Sequence, residues 1–331
     1  MENGQAGFRF SDSGSLIHRI LEVFMKAVTD ENGLRADVTF EEIRTLVIRE
    51  TERYIAEINH GKTALGARLA HLFARLSRLA VAIALDLYRE FKDSDFVPAL
   101  FEERIGRGGI EPPTIELEDG SRVCLYGVVD RIDVFRTDDR VYVKVVDYKT
   151  GSKQFSLKDI KKGLNTQLLL YLFAVCGNTS PTLRERLKVA PDATLAPAGA
   201  LYMSTAFSTL KLDRKTEAQD VLRLAGAEMK RSGILLDRDE VLDAVSRSHD
   251  KKLLAGITVK DDGVSGNALI TEQGLTSLEE ELHETIRNIA LEMKSGSALT
   301  CDPSLEDAPC TYCKMRMICR ADATDGSVQE F

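Results

Sequence analysis

The sequence predicts an α/β fold with a helical N-terminal part and a cysteine-rich C-terminal tail. Two stretches, 121–135 and 140–148, are rich in Val, Ile and Tyr and flank the turn-like Thr137-Asp138-Asp139, which predicts a β-hairpin. A helical stretch, 156–175, follows the hairpin. The 331 residues are 44% hydrophobic and 29% charged, so a packed core is expected.

Helical periodicity dominates the residues ahead of the hairpin. A first helix opens at Ser13-Gly14-Ser15 and carries an apolar stripe that starts at Leu16. Residues 39–60 and 64–92 have the pattern of two longer amphipathic helices. Residues 96–105 have the pattern of a strand.

Shorter elements are expected after the hairpin and its helix. Residues 177–198 predict a connector with one charged helical turn, and 200–204 predict a strand. Residues 214–231 and 276–296 predict helices, and 251–274 between them predict a surface hairpin or an ordered loop.

The elements divide the chain into three parts of one compact domain. They are a helical part at 1–95, an α/β core at 96–210, and a C-terminal helical extension with the cysteines at 211–331. No internal repeat and no low-complexity tract is present.

Two carboxylates and a lysine have the spacing of a hydrolytic metal site. Asp130 lies on the first strand of the hairpin, and Asp147 and Lys149 lie two apart on the second strand, so they share a face. Magnesium prefers carboxylate and water oxygens, and a neighbouring ammonium can orient water. An Asp-x-Lys pair alone most often marks a solvated strand face. Here it ends a run of valines, where a buried charge needs a partner.

Charge and hydropathy restrict the other possibilities. The net charge of −8 and the pI of about 5.4 are not typical of a free-standing nucleic-acid binder. A local lysine cluster could still contact phosphates: it comprises Lys149, Lys153, Lys158, Lys161 and Lys162. The sequence has no membrane span and no signal peptide, so a cytoplasmic location is expected.

The last part of the sequence carries a cysteine cluster. Cys310 and Cys313 have the Cys-x-x-Cys spacing of a shared metal, Cys319 follows, and Cys301 lies upstream. Zinc and a 4Fe–4S cluster both fit this spacing. The two remaining cysteines, Cys124 and Cys176, are expected in the core.

Eight segments between residues 8 and 322 form an ordered series of motifs. They are GSLIHRILEVF, FVPALFEERIG, GVVDRIDVF, VVDYKTG, GLNTQLLLYLFAV, PAGALYM, GILLDRDEVL and CTYCKMRMICR. Taken together, these motifs resemble the C-terminal nuclease domain of AddB-type ATP-dependent helicase–nuclease subunits, in the RecB-like branch of the PD-(D/E)xK superfamily. The resemblance implies a restriction-endonuclease-like core, which is a mixed β-sheet flanked by helices, and a tail that binds iron and sulfur.

The resemblance also implies a set of metal ligands. His18, Asp130, Asp147 and the Tyr148 carbonyl would bind the catalytic divalent metal, Mg²⁺ or Mn²⁺. Taken without the resemblance, His18 is a histidine on an apolar helix, which is more often a core residue.

Further catalytic roles follow from the same resemblance. Lys149 would orient the attacking water or stabilise charge on the phosphate, and Glu102 would be an auxiliary acid. Gln167 and Tyr171 would hold the site or the DNA backbone. The activity implied is Mg²⁺-dependent, exonuclease-like hydrolysis of DNA in double-strand-break repair by recombination, with an AddA-like helicase subunit as partner.

The sequence departs from the family pattern in two respects. It has no helicase-like region and no Walker-type phosphate loop, so ATP-driven translocation is not expected of this chain. It also has no cysteine before Cys124, so Cys301 is either a substitute cluster ligand or a bystander. Two alternatives are a catalytically inactive DNA-end-binding module of the same fold and a stand-alone exonuclease like those of CRISPR adaptation.

Overall fold

A mixed β-sheet of six strands forms the centre of the structure, which is a computed structural model. It describes residues 10–30, 33–58, 66–106, 108–149, 155–160, 163–205, 231–248, 256–260, 263–296, 310 and 313–319. The six strands are β3 (Val97–Ile105), β6 (Gly127–Arg136), β7 (Arg140–Lys149), β8 (Thr194–Ser204), β9 (Arg231–Leu236) and β12 (Leu269–Ile270). Three small ladders accompany it: β1 (Thr29–Asp30) with β2 (Gly33–Leu34), β4 (Thr114–Glu116) with β5 (Arg122–Cys124), and β10 (Ile257–Lys260) with β11 (Gly263–Gly266).

The strand order in the sheet is β12-β9-β8-β7-β6-β3. The β3/β6, β6/β7 and β8/β9 pairs are antiparallel, and the β7/β8 and β9/β12 pairs are parallel. A parallel pair needs a crossover, and the helix at Gln167–Cys176 provides it between β7 and β8 while packing on both strands. Strand β7 is central and buried on both faces, which explains its almost continuous run of apolar residues.

Helices flank the sheet. In the first part of the chain they are α1 (Phe10–Val28), α2 (Phe40–Ile58) and α3 (Ala67–Lys92), and next to the sheet crossover they are α4 (Leu157–Ile160), α5 (Gln167–Cys176) and α6 (Pro181–Arg186). Later in the sequence come α7 (Asp239–Val245), α8 (Glu272–Lys294) and α9 (Arg316–Cys319), of which α9 and the end of α8 belong to a separate unit described below. Helix α1 packs on α2, α3 and β3, because its Leu16, Ile20 and Phe24 form a fully buried stripe at helical spacing.

Several predicted elements are confirmed. The hairpin is β6 and β7, the two long amphipathic helices are α2 and α3, and the strand predicted at 96–105 is β3. The region predicted as a surface hairpin or loop contains the β10/β11 hairpin. The helix predicted at 276–296 is α8, which begins earlier, at Glu272.

Other predictions were wrong in their limits. The single helix expected at 156–175 is two helices, α4 and α5, because Gly163 and Asn165 have φ angles of 71° and 56°, which a helix cannot contain. The stretch 121–135 contains two strands, β5 and β6, that belong to different sheets. The strand expected at 200–204 begins at Thr194 inside the predicted connector.

Further differences concern the cysteines and the later helices. Cys124 was expected in the core but is exposed, because the β4/β5 ladder lies outside the main sheet; Cys176 is half-buried. Arg231, predicted as the end of a helix, begins strand β9. The rest of that predicted helix, at 214–230, lies outside the described residues.

The chain divides into two units. The first, Met1–Thr285, contains the six-stranded sheet, and the second, Ile286–Phe331, contains the end of α8 and the described cysteines of the tail. Within the described ranges, no helix combines the length and the apolar character that crossing a membrane requires.

Candidate metal centre

Strands β3, β6 and β7 bring three carboxylates to neighbouring register positions. Phe101 pairs with Arg131 and Glu103 with Val129, which leaves Glu102 opposite Asp130. Arg131 also pairs with Val146, so Asp130 and Asp147 are the next residues along β6 and β7. Residues opposite each other on adjacent strands share a face. Asp130 and Asp147 therefore lie side by side.

Helix α1 adds a histidine to these carboxylates. His18 Nδ1 lies 3.5 Å from Glu102 Oε1 and 3.5 Å from Asp130 Oδ1, and His18 Nε2 lies 3.0 Å from the Tyr148 carbonyl oxygen. Burial alone would lower the pKa of His18, but the two carboxylates outweigh it and raise the pKa to about 10. The imidazolium form therefore neutralises part of the acidic cluster.

Glu102 occupies an unusual backbone conformation. Its φ angle is 47°, which lies in the left-handed region that residues other than glycine rarely adopt. Its Oε1 atom is buried and accepts no hydrogen bond among the described residues. Strained backbone and an unsatisfied buried acceptor are both typical of functional sites.

Asp147 and Lys149 form an ion pair next to this cluster. Lys149 Nζ contacts Asp147 Oδ2 and lies 5.3 Å from the centre of the Tyr202 ring. The Asp147 side chain is 3% exposed, whereas that of Lys149 is 24% exposed. Burial, and then the charge of Asp130, raise the pKa of Asp147 against the opposing effect of Lys149. The Lys149 ammonium therefore lies on the solvent side of the Asp147 carboxylate, which would be costly to ionise without this partner.

The donor set fits a hard cation. Within the described part of the chain, His18, Glu102 and Asp130 form the only group of three or more candidate ligand residues whose donor atoms all lie within 4.8 Å of one another. One nitrogen and several carboxylate oxygens suit magnesium or manganese. The buried Glu102 Oε1 accepts no hydrogen bond among the described residues, so such a cation would replace only its contact with His18 Nδ1 at 3.5 Å.

The chain matches a known protein family over most of its length. The family model described as the PD-(D/E)XK nuclease superfamily matches residues 3–320. The chain belongs to the PD-(D/E)XK nuclease superfamily. The six-stranded mixed sheet flanked by helices is the fold that the resemblance predicted, and that part of the prediction is confirmed.

Curated relatives of this superfamily member are named as one subunit of an ATP-dependent helicase/deoxyribonuclease. The protein from Alkaliphilus oremlandii is 28% identical over 94% of this chain and 27% of its own length. The protein from Clostridium acetobutylicum gives the same three values, and that from Exiguobacterium sibiricum is 25% identical over 97% of this chain and 28% of its own length. The chain therefore spans about a quarter of the length of these relatives, and the predicted similarity to such subunits is confirmed.

Tyr148 contacts residues of the metal centre and also residues on the other face of the β-sheet. Its backbone N–H donates to Asp130 Oδ2 at 2.6 Å, and its ring packs edge-on against His18. Its hydroxyl accepts a hydrogen bond from Arg131 Nη1 at 2.9 Å. Arg131 is 1% exposed and also makes two hydrogen bonds to Asp133. The main chain that contacts His18 and Asp130 is thus fixed from the opposite face of the sheet.

The ion pairs continue towards helix α3. Lys144 Nζ lies 3.4 Å from Asp133 and 3.8 Å from Glu90, and Glu90 also pairs with Arg231. Burial alone would raise the pKa of Glu90, but Arg231, Lys144 and Arg131 outweigh it and lower the pKa to about 2. This buried ion network joins α3 to strands β6, β7 and β9 of the sheet.

Sequence reasoning missed this network. The available signal was Arg131 and Asp133, two charges on the strand face that also carries Val129 and Phe135. Lys144, inside the valine run of β7, was a second signal. Charges at such positions are buried only when they are paired.

Gln167 and Tyr171 lie on α5 beside the end of β6. Gln167 Nε2 donates to the Tyr171 hydroxyl at 2.8 Å, and the N–H of Val128 donates to the same oxygen at 3.3 Å. A Cβ at Gly127 would overlap the Tyr171 phenol, so the glycine allows this close approach. Both predicted residues therefore lie against the strand that carries Asp130.

The remaining predicted site residues belong to the second unit or lie outside the described residues. Cys310, Cys313 and Cys319 lie in the second unit and form no disulfide. Outside the described residues are Cys301, Lys153, Lys161 and Lys162. The side chain of Lys158 is also not described.

Proposed function

We propose that this chain is a metal-dependent deoxyribonuclease domain that hydrolyses phosphodiester bonds. The observation that supports this most strongly is the convergence of His18, Glu102 and Asp130, from three different elements, within 4.8 Å of one another. Membership of the nuclease superfamily and the names of the relatives agree with it.

His18, Glu102, Asp130 and Asp147, with the Tyr148 carbonyl, would hold Mg²⁺ or Mn²⁺. Such a cation, when bound, supplies Lewis-acid polarisation of the phosphate and acidifies water. Its charge would replace that of the imidazolium, so His18 would release a proton and donate a lone pair.

Lys149 would act on the phosphate or on the attacking water. Its ammonium is partly exposed and is held beside Asp147, so it can stabilise negative charge that develops on the phosphate. Asp147 fixes the direction of the lysine side chain. Gln167 and Tyr171 would hold the substrate backbone or the wall of the site.

Cleavage of labelled linear DNA tests the proposal. With Mg²⁺, we expect Asp147→Ala and Lys149→Ala to lose about 10²-fold or more in rate. Lys26→Ala is the matched control, because it removes an exposed lysine from an ion pair with Glu22. Equal rates in the parent and both site variants would refute the assignment, and so would cleavage that persists in EDTA.

A place in a larger assembly follows from the relatives. They are named as subunits of a helicase/deoxyribonuclease, and this chain spans 27% of the first of them. We propose DNA as substrate, an AddA-like helicase subunit as partner, and a role in double-strand-break repair. Co-purification with such a helicase, and loss of DNA-end processing in cells that lack this chain, are the expected results.

We propose that the tail cysteines hold a 4Fe–4S cluster with a structural role. Cys310, Cys313 and Cys319 supply three thiols of suitable chemistry, and Cys301 is the candidate for the fourth ligand. Zinc is the competing metal, because thiolates suit it as well. Anaerobically prepared protein should be brown, and iron and sulfide analysis should find about four irons per chain. Stoichiometric zinc without iron would refute this.

A catalytically inactive DNA-end-binding module is the second candidate. The net charge of −8 favours it, because it is unusual for a free-standing nuclease. DNA binding without cleavage under Mg²⁺, Mn²⁺ and Ca²⁺ would support this alternative over the first. A stand-alone exonuclease would instead cleave DNA and bind no helicase.

A further inference from the structure

A cavity of about 340 Å³ lies at the start of β6, and among its lining residues the proposed function gives a role only to Gln167 and Tyr171. Its wall contains two aromatic rings, Tyr126 and Tyr171, and two polar side chains, Thr166 and Gln167, together with apolar residues such as Ile105. Mixed apolar and polar walls of this size are typical of small-ligand sites.

Tyr126 is the more exposed of the two aromatic rings in the cavity wall. It is 60% exposed, although its ring packs directly on the backbone of Gly106. A Cβ at Gly106 would overlap the ring, and the φ angle there is 79°, which favours glycine. The Cδ1–Cε1 side of the Tyr126 ring is therefore held against Gly106, and the ring lies at the surface.

The cavity lies beside the strand that carries Asp130. Tyr171, in its wall, accepts a hydrogen bond from the N–H of Val128, two residues before Asp130. At about 3.3 Å per residue, these two positions are roughly 7 Å apart along β6. Neighbouring nucleotides of a single strand can reach both places.

The polar groups of the wall match the edge of a nucleobase. Gln167 uses one N–H to bind the Tyr171 hydroxyl, and its amide retains a second N–H and an oxygen. Bases offer donors and acceptors along one edge and a π-face for stacking. A base can use this face only when it is not stacked inside a duplex.

We propose that this cavity is a nucleobase subsite, in which Tyr126 stacks on one unpaired base next to the phosphate at the metal centre. The proposal rests on the function proposed above. Stacking on the Tyr126 ring supplies affinity with little sequence preference, and Gln167 with Thr166 contacts the base edge.

Equilibrium binding tests the subsite without cleavage. The probe is fluorescein-labelled oligothymidylate in EDTA, with the parent chain, Tyr126→Ala and Tyr126→Phe. We expect Tyr126→Ala to weaken binding by about 5- to 150-fold, the range for loss of one stacked base, and Tyr126→Phe to retain it. Phe40→Ala is the matched control, because Phe40 is also an exposed aromatic residue, at the start of α2. Unchanged binding by Tyr126→Ala would overturn the proposal.

A scan with single abasic nucleotides locates the base. One position of the oligonucleotide should weaken binding to the parent chain when it is abasic, and the same change should have no effect on Tyr126→Ala. Equal effects of every abasic position in both proteins would overturn the subsite. These binding results do not depend on hydrolysis. A Tyr126 effect on binding without any DNA cleavage in Mg²⁺ would refute the proposed activity but support the subsite. DNA cleavage without a Tyr126 effect on binding would support the activity but refute the subsite.

Discussion

Replacing Asp133 by Asn should destabilise the fold strongly. Asp133 is fully buried, and its two oxygens accept hydrogen bonds from Arg131 at 2.8 and 3.0 Å, with Lys144 Nζ at 3.4 Å. Asn has nearly the same shape but no charge, and its NH₂ group would face a guanidinium N–H. Two buried cations would thus lose their closest partner.

The expected loss in the free energy of unfolding is about 3–5 kcal/mol, the usual cost of breaking a buried ion pair on one side. Lys144 retains only the more distant Glu90, at 3.8 Å, which does not restore the lost contacts. For a chain of 331 residues, with an unfolding entropy of about 2.1 cal/mol/K per residue, the corresponding decrease in Tm is roughly 4–7 °C.

Urea unfolding of the whole chain, followed by circular dichroism, measures this loss. Lys26→Ala is the control, because it breaks an exposed i,i+4 pair with Glu22 that stabilises by about 0.5 kcal/mol or less. A loss for Asp133→Asn below about 1 kcal/mol, comparable with that of an exposed pair, would refute the reasoning about the buried ion network.

Three further predictions follow. The pKa of Glu90 is about 2 and not the usual 4.5, so its ionised form stabilises the fold by roughly 3 kcal/mol above pH 4.5, and this stabilisation is lost as the pH falls towards 2. Glu90→Gln should therefore weaken the dependence of the free energy of unfolding on pH between 4.5 and 2. The same pH dependence in the variant and the parent would contradict this. Gly127→Ala would push the Tyr171 phenol off β6, so the DNA cleavage rate should fall while the fold, checked by circular dichroism, is retained; full activity would show that this contact is not needed. Cys124 is exposed and should react quickly with maleimide, whereas burial raises the pKa of Cys176 and should make it slow; peptide mapping by mass spectrometry measures both, and equal rates would contradict the burial assigned to Cys176.

Much of the central sheet could be predicted because its pattern is local. Val-rich β7 and the turn before it identify the hairpin, and Asp147 and Lys149 share a face by the period of a strand alone. The spacing also placed Asp130 on the partner strand, where the register sets it beside Asp147.

The rest depended on tertiary structure. No local pattern shows that His18, on a helix with an apolar stripe, lies 3.5 Å from Glu102 and Asp130; only the family resemblance indicated it. The break at Gly163 and the exposure of Tyr126 are also invisible to periodicity, because they depend on backbone angles and on which surface each ladder covers.

Titration with Mn²⁺, followed by electron paramagnetic resonance, tests most directly whether His18, Glu102 and Asp130 close around one cation. We expect the parent chain to bind Mn²⁺ and Asp130→Asn to bind it at least about tenfold more weakly. Glu22→Gln, which removes a carboxylate from the same helix as His18, should bind as the parent does. Equal Mn²⁺ affinity in the parent and Asp130→Asn would contradict the metal centre and the cleavage chemistry built on it.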